Sequence, residues 1–191
     1  MKKKLGPKTF LFPMPALLVG TYNDDGTANA MTAAWTGICC FEPPCAGVAV
    51  RKPRLTYANI EKRKAFTLNV PSTSQASAVD YVGMVSGKTE PKKLDIAKLK
   101  VEKASKIDAP LIVSCPLNLE CRLVSTTVLG SHAWFAGEIL EVHVDEHCLK
   151  GNDIDIFKLD PLIYITSVSK YHAIGKEVAQ AYKIGNRIRK G

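Results

Sequence analysis

The residues of this 191-residue chain that could do chemistry fall into a few short stretches. In RKPRLTY, Arg51, Lys52, Arg54, Thr56 and Tyr57 supply cationic and hydroxyl donors, and a bend at Pro53 could turn them toward one anion. A solvated basic turn is the plainer reading of the same residues. Thr56 also stands where it could cap the helix that follows, adding free backbone amides to the donor set. Asn69 lies between Leu68 and Val70, so its amide is expected to be buried and must find partners, on a bound ring edge or in a neighbouring turn. His132, at the end of Gly130-Ser131-His132, offers a hydrogen-bond donor or a cation, in a turn where polar residues are common anyway. Met31, Thr32, Ala33, Ala34 and Trp35 form a strand of small and apolar side chains that a flat ligand could approach closely, although Met31 and Trp35 serve equally well as core.

Other chemistries are disfavoured. His143 falls on the outward face of a strand and His147 lies past its end, without convincing Cys or carboxylate partners, so no metal site is expected. The six cysteines, Cys39, Cys40, Cys45, Cys115, Cys121 and Cys148, have no framework spacing and no Cys-x-x-Cys, and the chain shows no secretion signal. Neighbours on a strand face opposite ways, so Cys39 and Cys40 do not read as a working pair, and buried reduced thiols are expected. The cysteines are too scattered for an iron–sulfur cluster. No Gly-x-Gly-x-x-Gly follows a strand and no βαβαβ rhythm is present, which argues against a Rossmann domain.

The elements that must hold these residues are mostly strands. ALLVGTY and ANAMTAAWTGI flank an Asp-Gly turn, giving a hairpin over 16–37. Strands at 47–50 and 66–70 bracket a helix, LTYANIEKR, and a second helix runs through SQASAVDYVGMVSG with Ser72 or Ser74 as its cap. The polar stretch from Ser86 to Lys106 reads as a loop with one helical turn. In PLNLECRLVSTTV, apolar Leu117, Leu119, Cys121 and Leu123 alternate with Asn118, Glu120 and Arg122, the period of a half-buried strand. AGEILEVHVDE repeats the pattern, the two strands meeting at the turn before His132. A further strand at 161–168 and a short C-terminal helix follow. Many antiparallel strands with few helices predict a mainly β fold, a β-barrel with helices, in a single domain over 1–191.

Composition bounds the partners. The formal charge of +8, from 26 Lys plus Arg against 18 Asp plus Glu, favours an anionic partner. The charge is spread from Lys2 to Lys190 without a basic stripe interleaved with aromatics, so nucleic acid is not expected. Pro13 and Pro15 interrupt the apolar stretch near the N-terminus, and no run approaches the roughly 20 apolar residues of a membrane span. A cytoplasmic protein with no membrane partner is the expectation.

An ordered set of short motifs adds to this reading: Asn29-Ala-Met-Thr-Ala-Ala-Trp35, Pro43-Pro44, Val48-Ala-Val-Arg51, Thr56-Tyr57-x-Asn59-Ile60, Phe66-x-x-Asn69-Val70-Pro71, Ser86-Gly87, Gly130-Ser-His132 and Gly137-Glu138. Together they resemble the flavin reductase-like FMN-binding split-barrel family, closest to its flavoredoxin branch. The resemblance implies a split barrel that forms a homodimer with FMN at the subunit interface. It also implies a redox role, as an electron carrier or as an NAD(P)H-dependent flavin reductase working with a small-molecule or protein electron donor and acceptor. Asn29, Met31, Thr32, Ala33, Ala34, Trp35, Arg51, Lys52, Arg54, Thr56, Tyr57, Asn69, Ser86, Gly87 and Lys93 are then cofactor-binding candidates, with Lys92 the alternative to Lys93 by one residue. His132 is the catalytic candidate; Ser131 stands before it where many members of the family have Asp, which weakens the case for nicotinamide. The competing reading is a non-redox binding module that uses the same barrel for another anion, a metabolite or nucleic acid.

Overall fold

The computed structural model describes residues 1–189. Its frame is a seven-stranded antiparallel sheet of β1 (Leu17–Tyr22), β2 (Ala28–Ala33), β3 (Thr36–Cys40), β4 (Cys45–Arg51), β5 (Ala65–Val70), β6 (Leu117–Leu129) and β7 (His132–Val144). In space the order is β2-β1-β5-β6-β7-β4-β3. The two outermost strands, β2 and β3, are therefore consecutive in the chain, parted only by Ala34 and Trp35. The Ala49 N–H donates to the Trp35 carbonyl at 2.9 Å, tying that corner to β4. The sheet must roll up to satisfy this connection, and the expected β-barrel is borne out, with its seam at Ala34 and Trp35.

Alternation along β1 feeds two cores. Val19 points inward with Val48, Val50, Ile60, Phe66 and Phe135, all fully buried. Leu18 points the other way, toward Val79, Val82, Ile112 and Leu162. Each such side chain contributes roughly 1.5–3 kcal/mol through burial, which is why both faces of β1 are fixed. Helix α1 (Leu55–Arg63) packs Ile60 into the first of these cores and stops at Lys64, whose φ of 54° is left-handed. Helix α2 (Ala76–Met84) follows a 3-10 turn in which the Ser72 N–H donates to Gln75 Oε1 at 2.9 Å, a reciprocal cap. Helix α3 (Lys93–Ile96) is the single turn expected in the polar stretch.

The structure departs from the sequence reading in several places. The second limb of the expected hairpin is two strands, because the chain crosses the seam at Ala34. Ser86 and Gly87 lie beyond the end of α2. The strand expected over 161–168 is confined to Ile163–Ile165, and the C-terminal helix is the turn Asn186–Arg189. Asn118 and Glu120, read as the wet face of β6, are buried because the 102–111 segment covers them. Glu120 accepts from Ser105 N (2.8 Å), Ser105 Oγ (2.9 Å) and Lys106 N (2.7 Å), and pairs with His143 Nε2 at 2.8 Å. Burial pushes its carboxyl up, but the bonds from Ser105, His143 and Lys106 outweigh this and hold it below the usual range. Cys39 and Cys40, expected to be buried, are exposed. Among the described residues no helix is long and apolar enough to cross a membrane.

Candidate functional site

Two hollows meet at the barrel seam. The first is a slot of about 170 Å³ whose floor is Met31–Trp35 and whose walls are Ala49, Arg51, Arg54 and His132. Strand pairing explains the walls: His132 is directly opposite Arg51 across β7 and β4. The His132 ring lies 4.8 Å from the Trp35 indole, tilted by 37°. Ser131 Oγ meets His132 Nδ1 at 2.9 Å, so the hydroxyl holds the imidazole and leaves Nε2 for a ligand. Trp35 is 38% exposed, more than a core side chain would be, because it turns the corner at the seam.

The second hollow is lined by Asn29, Met31, Thr32, Arg54, Leu55, Thr56, Val82, Gly83, Val85, Ser86, Gly87 and Lys93. It is narrow, about 20 Å³, and shares Met31, Thr32 and Arg54 with the slot, so the two adjoin across these residues. Lys93 is only 3% exposed and has no carboxylate partner among the described residues. Its Nζ donates to the Val85 carbonyl at 3.1 Å and the Val82 carbonyl at 3.4 Å, leaving one N–H free. Burial, and then the neighbouring Arg54 guanidinium, lower its pKa to about 8. Two cations facing one another over a hollow call for an anion.

The first turn of α1 opens on the same hollow, with neither a side-chain cap nor an acidic residue to occupy its amides. The helix begins at Leu55 after Arg54, so Thr56 is not its cap. The buried Thr56 hydroxyl accepts from Asn29 Nδ2 at 3.2 Å instead. Among the described residues Asn29 Oδ1 is buried without a partner, and a β-carbon at Gly87 would run into it. Turning the amide over exchanges an orphan acceptor for an orphan donor, and a ligand hydroxyl satisfies either. The residues thus fit a phosphate-bearing, hydroxyl-bearing ligand with a flat apolar end, as FMN is.

Of the residues expected from sequence, Asn29, Met31, Thr32, Ala33, Ala34, Trp35, Arg51, Arg54, Thr56, Ser86, Gly87, Lys93 and His132 converge here. Three do not. Lys52 is exposed in the turn after β4 and lines neither hollow. The Tyr57 ring packs edge-on against Phe135, centroids 5.0 Å apart, in the barrel core. Asn69 is fully buried with its bonds complete: Nδ2 donates to the Leu18 carbonyl (2.8 Å) and Thr67 Oγ1 (2.9 Å), and Oδ1 accepts from Ile112 N (3.0 Å) and Asn118 Nδ2 (2.8 Å). No capacity is left for a ring edge. Sequence reasoning overlooked the C-terminal end of α2, with Val82, Gly83 and Val85. The signal was Gly83, a glycine inside a helix, which permits close approach: a β-carbon there would sit 3.0 Å from Thr32 Cβ.

Comparison with known proteins agrees with this geometry. The model of the flavin reductase-like domain matches residues 9–175. The chain is 40% identical to flavoredoxin of Desulfovibrio vulgaris (Miyazaki F), covering 97% of this chain and 100% of that one with a TM-score of 0.92. Flavoredoxin from Methanosarcina acetivorans is 33% identical, over 98% and 99% of the two chains, also with a TM-score of 0.92. An uncharacterised protein of Archaeoglobus fulgidus is 33% identical over 70% of this chain and 73% of its own. With a barrel closed at the Ala34–Trp35 seam, two adjoining hollows there and a domain match over most of its length, the chain belongs to the flavin reductase-like domain family.

Proposed function

We propose that the protein is an FMN-binding redox protein, a single-domain flavoredoxin-like electron carrier or flavin reductase that acts as a cytoplasmic homodimer with FMN at the subunit interface. The observation that carries the reading is Lys93: a lysine sealed from solvent beside a second cation, in a hollow that shares Met31, Thr32 and Arg54 with the slot over the Met31–Trp35 floor. Lys93, Arg54 and the first-turn amides of α1 would hold the phosphate, Asn29 a ribityl hydroxyl, and the Met31–Trp35 floor the ring. FMN, when bound, supplies one- and two-electron transfer. The chain's own part is to exclude water from the floor and to present His132 Nε2 and Arg51 beside the slot, where they stabilise negative charge or orient an incoming donor. The likeness to flavoredoxins supports the carrier, and His132 supports the reductase.

Two measurements test the proposal. The purified protein should show the visible bands of oxidised flavin, and stripped protein should quench added FMN fluorescence at micromolar concentration. A colourless protein that fails to quench would overturn the flavin reading in favour of a module for another anion. Anaerobic mixing with NADH or NADPH then separates the two redox roles: flavin bleaching identifies a reductase, and an unchanged band with both nucleotides identifies a carrier fed by another redox protein.

A further inference from the structure

A group of thiols lies at the far end of β3, outside the seam. Strand β3 pairs with β4 in the order Gly37 to Gly47, Ile38 to Ala46 and then Cys40 to Cys45, with an irregularity between Ile38 and Cys40. This is a β-bulge: Cys39 and Cys40 together oppose the single residue Cys45, so strict alternation fails at that point. The sequence argument that separated the two cysteines depended on that alternation. Cys40 and Cys45 are direct partners across an antiparallel pair, where Cα atoms stand about 4.5–5.5 Å apart, inside the roughly 4.4–6.8 Å range of disulfides. Cys40 is exposed and its Sγ reaches the Glu42 carbonyl at 3.4 Å, whereas Cys45 is buried. Burial pushes the Cys45 thiol up, and the Cys40 and Cys39 sulfurs beside it push further in the same direction. Among the described residues no group of three or more His, Cys, Asp or Glu is placed to hold a metal ion.

We infer that Cys40 and Cys45 form a redox-active dithiol that exchanges with external disulfides. Cys40, the solvent-facing sulfur, attacks the external disulfide as its thiolate, forming a mixed disulfide and expelling one thiol. Cys45 then gives up its proton and attacks the Cys40 sulfur, expelling the second thiol. Two protein thiols are oxidised to one intrachain disulfide, one external disulfide is reduced to two thiols, and the two protons pass to the products. The link spans only Phe41–Pro44, so cross-linking constrains a short loop of the unfolded chain and stabilises the fold less than a long-range disulfide would. The inference is independent of the flavin reading.

The test uses the folded full-length protein under anaerobic conditions, incubated with oxidised glutathione in one arm and insulin, as a protein disulfide, in the other. Thiols are then blocked by alkylation and the peptides mapped by mass spectrometry. The expected result is loss of two of the six free thiols, with an intrachain link between Cys40 and Cys45 in at least one arm and reversal by excess reduced glutathione. The Cys45→Ser variant should stop at a glutathione adduct on Cys40, and Cys39→Ser should still close. Reaction in one arm alone identifies which kind of disulfide the site takes. The inference is overturned if all six thiols persist in both arms, or if the wild type acquires only mixed disulfides with no intrachain link. Since the wild-type map decides the matter, a variant that fails to fold does not remove the test.

Discussion

Lys93 and Asn69 show how similar burial can mean opposite things. Lys93 is buried short of a partner and Asn69 is buried with every bond made. Replacing Lys93 by Met removes the unpaired charge, so the ligand-free variant should resist urea better, by about 1–3 kcal/mol, while FMN affinity falls roughly 100-fold with the lost charge-assisted bond. The pH dependence has a definite sign. Folding lowers the Lys93 pKa to about 8, so the cost of burying the charge is complete below that value and fades as pH climbs toward the unfolded value near 10.4. The stability gap between the variant and the wild type should narrow over that window. FMN affinity of the wild type should fall over the same window, measured by fluorescence titration. Asn69→Leu orphans the Ile112 amide and the Leu18 carbonyl, a loss of about 2–4 kcal/mol in denaturant melts, yet the flavin spectrum of the folded variant should match the wild type.

At the scale of elements, close approach between strands sets what the sequence can vary. A β-carbon at Gly137 would lie 2.8 Å from two Phe66 ring atoms and 2.9 Å from Cys121 Cβ, so Gly137→Ala should destabilise by about 1–3 kcal/mol. Among the described residues nothing lies within 4 Å of a would-be β-carbon at Gly37, and Gly37→Ala should stay within about 0.5 kcal/mol, both measured by chemical unfolding. These elements were largely legible in the sequence. The period-2 runs of β6 and β7 located both long strands, and Leu55–Arg63 was read as a helix at its correct bounds. What could not be read was anything set by contact at a distance: the wet face of β6 is dry because residues 102–111 cover it, and the cysteine pair is created by a bulge that local alternation cannot announce. The candidate site was legible over 29–35 and at Arg51, Arg54 and Thr56, although Lys52 of the same turn lines neither hollow. It failed at Asn69, where a buried amide on a strand gives the same pattern whether it serves a ligand or the barrel wall.

For the molecule as a whole, the seam is also where the chain leaves apolar surface uncovered. Phe10, Leu11 and Phe12 are exposed, and the 8–15 segment forms with Trp35 and Trp134 a groove of about 450 Å³ next to the slot. A second copy of the chain is the proposed cover, and sedimentation equilibrium should give twice the chain mass; dilution until the mass halves should release FMN with it, since the slot would lose one wall. The sealed ammonium of Lys93 reaches beyond binding into supply. A chain that folds with one charge lacking its counter-ion is least stable when newly made and still empty, so the proportion escaping degradation should follow the free concentration of its anion by mass action. Riboflavin-starved cells should then hold less of the protein itself, and the Lys93→Met variant, more stable when empty and about 100-fold weaker for FMN, should depend on the vitamin less than the wild type.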